Sequence, residues 1–451
     1  MTDYIVAIDL GTSHITGIVG EKNADGTFSI VACETEVTCE TKNPFSCIRR
    51  GNIHNLDDTA GHVGSLIKKL ENHLKGSYID KVYIGTGGQS LRTVDHIEGK
   101  EIAEGAAVTK DDIKELREQC EKYVPDLLDV LDIAPAVYYL DGRRDAKPVG
   151  VPCKRFEARY KLVIGRSSIR RDILNSIRGR ANTEIAGIIV SPLALADAML
   201  SREEKELGCA LVDFGAGVTS VSVYKDGDLL HMSVIPLGGN LITRDITSLQ
   251  LTEDESEKLK KEYGSAIPEK DDDEKMIDVE MVGADREIAV NDLNAIVEAR
   301  AKEIVENVYA RISEVIELKS LGYGIVLAGC ASELNKLPEL IIERCKVKAR
   351  HSAIRGGLVR GGDEMTGDPL YMTAVGIMLK GTEQCISRPV VTAEPVATTE
   401  SPVKEEEEKV SRGFFRRKKD PKPKEKKENT GGGDKEGKGW GGIFDDFFRE
   451  D

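Results

Sequence analysis

Two aspartates occupy matching positions in the two halves of this chain. Asp9 follows the apolar run Tyr4–Ile8, with Gly11 two residues on; Asp213 follows Leu211-Val212, with Gly215 at the same interval. A carboxylate at the mouth of a tight turn can hold a hydrated magnesium ion. Glycine beside it lets backbone N–H groups approach an anion closely. The chemistry on offer is therefore the binding of a phosphate together with a metal. The elements that must position it are two hairpins. Residues 4–20 and 211–224 each read as strand, turn, strand, the second resuming its alternation through Val221 and Val223. A single such turn is an ordinary β-hairpin. A pair suggests an internal duplication, with a nucleotide between the halves and both aspartates facing one metal. Gly11, Thr12, Ser13 and His14 would line the phosphates from one side, and Gly215, Ala216, Gly217 and Thr219 from the other.

A third element follows. The run Gly324–Ala328 reads as a strand entering the small residues Gly329, Cys330, Ala331 and Ser332, with a helix expected over 333–340. Small side chains there allow a flat base to lie against the backbone; plain strand–helix packing is the competing reading. In this order the three elements resemble the phosphate-1, phosphate-2 and adenosine motifs of actin, the heat-shock chaperones and the sugar kinases. The resemblance implies an α/β, actin-like two-domain ATPase fold of duplicated ribonuclease H-like domains. Inserted subdomains and a disordered C-terminal tail complete the expected architecture, with ATP and Mg2+ as cofactors.

Length and composition agree with that plan. The chain has 451 residues, too many for one core and suited to two major domains plus a tail. No apolar stretch approaches the roughly 20 residues that span a bilayer, and the N-terminus does not read as a secretory signal. The 9 cysteines show no C-x-x-C spacing and several fall in apolar strands, as buried thiols of a reducing compartment do. Net charge is −15. From Ser387 onward 15 basic and 15 acidic residues cancel, so the whole excess lies on the body. An acidic body repels nucleic acid and anionic lipid alike, so no nucleic-acid partner is expected and membrane contact requires a separate device.

Along the chain, strands are expected at 27–37 and 82–86 around an amphipathic helix at 57–75, with Val63, Leu66, Ile67, Leu70 and Leu74 on one face. Residues 1–86 and 164–207 form the expected first domain, interrupted by an inserted subdomain at 87–163 whose polar helix opens at Thr109. An arginine-rich helix (167–182), a buried strand (184–190) and a helix (193–199) complete that half. Residues 208–249 and 295–386 form the expected second domain, with a second insertion at 250–294. There a charged helix (252–263) ends at Gly264 and an acidic loop (268–274) follows, before a long helix at 295–318. Residues 387–438 are too poor in apolar side chains to fold and read as a disordered linker; about 50 such residues reach roughly 40 Å.

Three landmarks narrow the likeness: Gly11-Thr12-Ser13-His14-Ile15, the run Pro236-Leu237-Gly238-Gly239-Asn240-Leu241-Ile242-Thr243-Arg244-Asp245-Ile246, and Tyr371-Met372-Thr373-Ala374-Val375-Gly376. With the place of the first insertion and the order of pieces, they resemble the FtsA family of bacterial division proteins over nearly the whole folded length. The resemblance implies that Gly238, Gly239 and Asn240 belong to the cofactor-binding site. It places Glu257, Lys260 and Lys261 at the ribose and base, where a solvated row of helical charge pairs is the plainer reading. It further implies a homopolymer on the cytoplasmic face of the cell membrane at the division site, peripheral, tethering FtsZ filaments and recruiting other divisome proteins. The FtsZ tail would dock on 250–294. His14 departs from the family's frequent lysine and Cys330 from a glycine. Ser191-Pro192 replaces the Glu-Pro dipeptide that orients the attacking water in active relatives, so ATP is expected to be bound with weak or no hydrolysis. The rivals are a catalytic ATPase or kinase of the same superfamily and a pilus-assembly relative.

The tail carries two patterns. Trp440, Ile443, Phe444, Phe447 and Phe448 recur at helical spacing within 439–451, as a membrane-targeting amphipathic helix or a helix for a partner's groove would. Its other face is acidic, but Phe414, Phe415, Arg416, Arg417, Lys418 and Lys419 supply a basic-aromatic patch, each cation worth about 1 kcal/mol at an anionic surface. Both would bind membrane lipids, and polymerisation would multiply their affinity.

Overall fold

The computed structural model describes residues 3–38, 47–269, 272, 275–281, 284–361 and 363–387. The two tail patterns, the linker and Cys39 lie outside the described residues, as does part of the acidic loop.

Alternating apolar segments near the N-terminus build a six-stranded sheet. Asp3–Leu10, His14–Lys22 and Phe28–Val37 form an antiparallel meander, and Lys81–Thr86 and then Glu184–Val190 join Asp3–Leu10 in parallel. The second half repeats the wiring. Cys209–Phe214, Thr219–Lys225 and Asp228–Ile235 form the meander, and Gly324–Ala328 and Ala349–His351 add in parallel. The registers repeat too: Asp9 faces Thr16 on one side and Gly85 on the other, while Asp213 faces Ser220 and Ala328. Each aspartate thus has a small hydroxyl neighbour and a small or absent side chain beside it.

Between Thr86 and Ser167 the chain makes a separate layer. Arg92–Glu101 pairs with Arg155–Arg166 through ten residue pairs, flanked by Leu128–Ile133 and Val137–Leu140, and covered by the helix Lys110–Glu121. Phe156, Tyr160 and Leu116 are buried at its core. Thr109 caps that helix by a reciprocal box with Asp112, whose carboxyl is held at about 2, first by Lys100 and then by Thr109. One residue pair, Ser233–Arg92, joins this layer to the second half, so one ten-stranded sheet runs through both. The strand Arg92–Glu101 is not evident in sequence because its polar side chains are at most half-buried.

Several element boundaries differ from expectation. The arginine-rich helix is α-helical only over Ser167–Ile173 and continues as a π turn, Leu174–Arg178. The long helix spans Val290–Ser313, preceded by a hairpin, Met276–Met281 with Ala284–Ala289. After the third motif a 3-10 turn, Cys330–Glu333, precedes a helix that begins only at Leu337, next to Pro338, whose ring fixes the φ of a first helical turn. Gly264 closes the charged helix in extended rather than left-handed backbone.

The expected extent of the second domain to 386 also differs from the packing. Val359–Arg360 pairs with the first sheet at Phe28–Ser29, and Ile386–Ser387 pairs with Tyr78–Ile79. The helix Pro369–Lys380 buries Val375, Ile377 and Met378 in the first half's core. Its Gly376 lies so close to the helix Ser191–Met199 that a Cβ would stand 2.9 Å from the Ala194 carbonyl. The chain therefore crosses between halves twice, once after Met199 and once after His351.

Candidate nucleotide cleft

The two turns meet. A Cβ on Gly217 of the second turn would stand 2.5 Å from Thr12 Oγ1 of the first, so only glycine permits this approach. Thr38 clamps the first turn from behind, its hydroxyl donating to the Thr12 carbonyl (2.6 Å) and its N–H to that of Ser13 (3.0 Å). His14 Nδ1 lies 3.0 Å from Ser13 Oγ.

Asp9 and Asp213 are half-buried where the turns begin. Burial pushes the Asp9 carboxyl up to about 6, against one hydrogen bond from Ser191 Oγ at 3.1 Å. Burial, and then the charge of Asp9, push Asp213 up to about 7, with Ser220 as the opposing donor. Two neighbouring carboxyls that both hold their protons above the usual range, each with a single side-chain donor, suit a cation between them. Among the described residues no group of three or more His, Cys, Asp or Glu could hold a metal ion. A cation at the pair would therefore take its remaining ligands from water and phosphate, the habit of Mg2+.

Gly238, Gly239 and Asn240 close over the second turn. The Gly239 and Asn240 N–H groups donate to the carbonyls of Gly215 (3.0 Å) and Ala216 (2.9 Å), so these two amides brace the turn. Thr219 is fully buried, with its hydroxyl on the Leu237 carbonyl at 2.9 Å. The third motif abuts both: a Cβ on Gly329 would lie 2.3 Å from Asp213 Oδ1, and one on Gly239 would lie 2.9 Å from the Ala331 Cβ. Ser332 is fully buried, its hydroxyl 3.5 Å from His351 Nδ1. Cys330 is exposed; desolvation by its surroundings, then Asp213, Asp368 and Glu333, push its thiol up to about 11.

The charged helix Glu253–Tyr263 joins this group. Glu257 Oε2 accepts from Lys260 Nζ and from Thr243 Oγ1, both at 2.5 Å, and Lys260 Nζ reaches the Gly239 carbonyl at 3.3 Å. Burial pushes the Lys260 amine below its usual range against the pull of Glu257. Lys261 stays exposed, 3.4 Å from Glu257 Oε1. His14 senses this helix from the first half: burial, then Lys261, lower its imidazole, and Glu257 opposes them.

The structure thus gathers Asp9, the first turn, the second turn, Gly238–Asn240, Glu257, Lys260, Lys261 and the third motif around one seam. Thr219 and Ser332 support it from beneath. Sequence reasoning missed Thr38, Thr243 and Ser220, and the hydrogen bond of Ser191 to Asp9. For Ser220 the available signal was its equivalence to Thr16, seven residues beyond each aspartate. The helix itself is held by a cap, Thr252 with Glu255. Thr252→Ala is expected to cost about 1 kcal/mol and to speed amide exchange in that helix's first turn; unchanged exchange by mass spectrometry would show the cap to be idle.

A five-stranded motif used twice, with paired aspartates where the copies meet, defines a protein of the actin-like ATPase class. The PilM–PilN type IV pilus biogenesis complex has a chain of the same fold, with a TM-score of 0.58 and 16% identity over 84% of this chain and 98% of that one. A model of the family described as cell division protein FtsA matches residues 210–376. Cell division protein FtsA of Porphyromonas gingivalis is 32% identical over 394 residues, covering 85% of this chain and 80% of that protein. Its counterparts in Bacillus subtilis and Escherichia coli K12 are 29% and 26% identical, covering 83% and 84% of this chain and 83% and 90% of theirs. The chain belongs to the FtsA family of cell division proteins.

Proposed function

We propose that this chain binds ATP with Mg2+ between its halves and polymerises on the cytoplasmic face of the cell membrane at the division site. There it tethers FtsZ filaments and recruits later division proteins. The observation that carries the nucleotide reading is the pairing of half-buried Asp9 and Asp213, close enough for one charge to act on the other, at two turns that touch at Gly217 and Thr12. In this reading the two aspartates hold the cation, and the turns 11–14 and 215–217 cradle the phosphates. Glu257, Lys260 and Lys261 with 329–331 form the ribose and base wall. Mg2+ would offset phosphate charge. The chain's own part is to fix backbone donors, exclude water and hold the pair deprotonated once a cation is present.

Ser191 donates its hydroxyl proton to Asp9 and offers an attacking water only a neutral, weakly basic oxygen in place of a carboxylate, which supports slow hydrolysis or none. Membrane attachment falls to 412–427 and 440–448, since no helix among the described residues is long and apolar enough to cross a bilayer. The FtsZ tail is assigned to 250–294, and the domain limits follow the sequence reading except that 354–387 returns to the first half.

Calorimetry with MgATP tests the cleft; an absent heat with intact folding refutes it. Flotation with anionic liposomes tests the tail. Full-length protein is expected to float, and chains ending at Glu400 to stay at the bottom. A chain ending at Gly437, which keeps only the basic-aromatic patch, is expected to float less. Equal flotation of all three refutes the assignment. Co-sedimentation with FtsZ polymers tests the tether.

A further inference from the structure

A cavity of about 770 Å3 lies away from the nucleotide cleft, lined from both chain crossings between the halves and by two neighbouring turns. The first crossing contributes Asp197, Arg202, Lys205 and Glu206, and the second Arg355. The crossings are tied here: the Arg355 N–H donates to the Ala198 carbonyl (3.0 Å) and its Nη2 to that of Asp197 (2.7 Å).

The charges lining the cavity are not all used internally. Asp197 is engaged by Lys205 and Lys380, and Asp228 by Arg144. Arg202 makes no ion pair among the described residues, and Arg355 Nε is buried without a hydrogen-bond partner. Its bonds to the Asp197 and Ala198 carbonyls set Arg355 beside the segment that carries Arg202, and both guanidiniums act on the exposed Glu203 carboxyl there. Elsewhere on the lining, Glu206 and Asp226 have carboxylates without an ion pair, and both press on Asp228. The lining therefore offers two arginines from the crossings and, where the Asp226 N–H donates to the Glu206 carbonyl (3.0 Å), two adjoining acids with Arg144 alongside on Asp228; its volume suits a small organic ligand.

We propose that this hinge cavity binds a small amphoteric molecule. Its phosphate or carboxylate is held by Arg202 and Arg355, and its amine or hydroxyl donors turn towards Asp226 and Glu206. Guanidinium pairs are the usual partners of such anions because their planar donors match two oxygens at once. A ligand there touches both crossings and would bias how the halves close. The inference does not depend on the cleft's nucleotide.

O-phosphoethanolamine is the probe, with ethyl phosphate as its amine-free analogue, titrated calorimetrically into the full chain held in saturating MgADP at constant ionic strength. O-phosphoethanolamine is expected to bind, and Arg202→Glu, at an exposed position, to weaken it at least about 10-fold. Ethyl phosphate is expected to bind about 3-fold more weakly. Asp226→Asn, which keeps the left-handed backbone (φ 52°) accessible, should erase that difference. Arg355→Gln gives a second loss of binding, with circular dichroism to check its fold. No binding, or binding indifferent to Arg202→Glu in a folded protein, overturns the proposal. A preference for the amine that survives Asp226→Asn overturns the orientation.

Discussion

Asp213→Asn is expected to make the protein free of nucleotide and metal more stable above pH 7, while abolishing its stabilisation by MgATP. In the folded state Asp213 sits at about 7 and Asp9 at about 6, against 3.8 for the free side chain. A carboxyl whose folded value is raised holds its proton longer in the folded than in the unfolded state. Folding stability therefore falls as pH rises from about 4 to about 7 and is level above that. Each unit of displacement is worth about 1.4 kcal/mol, so neutralising Asp213 should return about 2–4 kcal/mol at pH 8 and nothing near pH 4. The same substitution removes half of the carboxylate pair to which the metal is assigned. Urea midpoints from pH 4 to 8, with and without MgATP, read both effects. A variant that is no more stable at pH 8, or that still gains from MgATP as the parent does, would contradict the paired-carboxylate reading.

Gly329→Ala carries the other large effect. Gly329 lies at φ 81° and ψ 152°, a region that side chains avoid at a cost of about 1–3 kcal/mol. A Cβ would also lie 2.3 Å from Asp213 Oδ1 and 2.5 Å from the Phe214 carbonyl oxygen, neither the loose end of a flexible side chain. Displacing such neighbours costs about 1–3 kcal/mol more. The expected total, about 2–6 kcal/mol, is large against a domain stability of about 5–15 kcal/mol. Because the displaced group is Asp213, MgATP binding should fail as well. Gly26→Ala is the control: its φ of 85° is similar, but nothing lies within 4 Å of the added carbon. It should lose only the backbone share and leave nucleotide binding intact. Equal losses at both sites would mean that contact with the aspartate does not matter.

Local pattern determined much of this protein. Each half of the seam is a short-range object: an alternating strand, an aspartate, a glycine turn and a returning strand lie within about twenty residues, and their order is covalent. The amphipathic helix Leu56–Asn72, capped by Asn55, and the polar helix capped by Thr109 were likewise legible, because period and cap are local. Duplication could be read because the same interval from aspartate to glycine occurs twice.

Only the tertiary structure decided which surfaces these pieces share. Sequence could not bring Gly217 against Thr12, or set Ser191 on Asp9 across 182 residues of chain. Nor could it return Pro369–Lys380 to the first half, where Gly376 permits a close helix crossing. The first depends on how the two sheets are laid together, the others on how distant segments pack around the first sheet. The desolvation that raises both aspartates, and the charge of Asp9 felt at Asp213, arise only when the packed chain has drawn the two carboxyls together and away from much of their water.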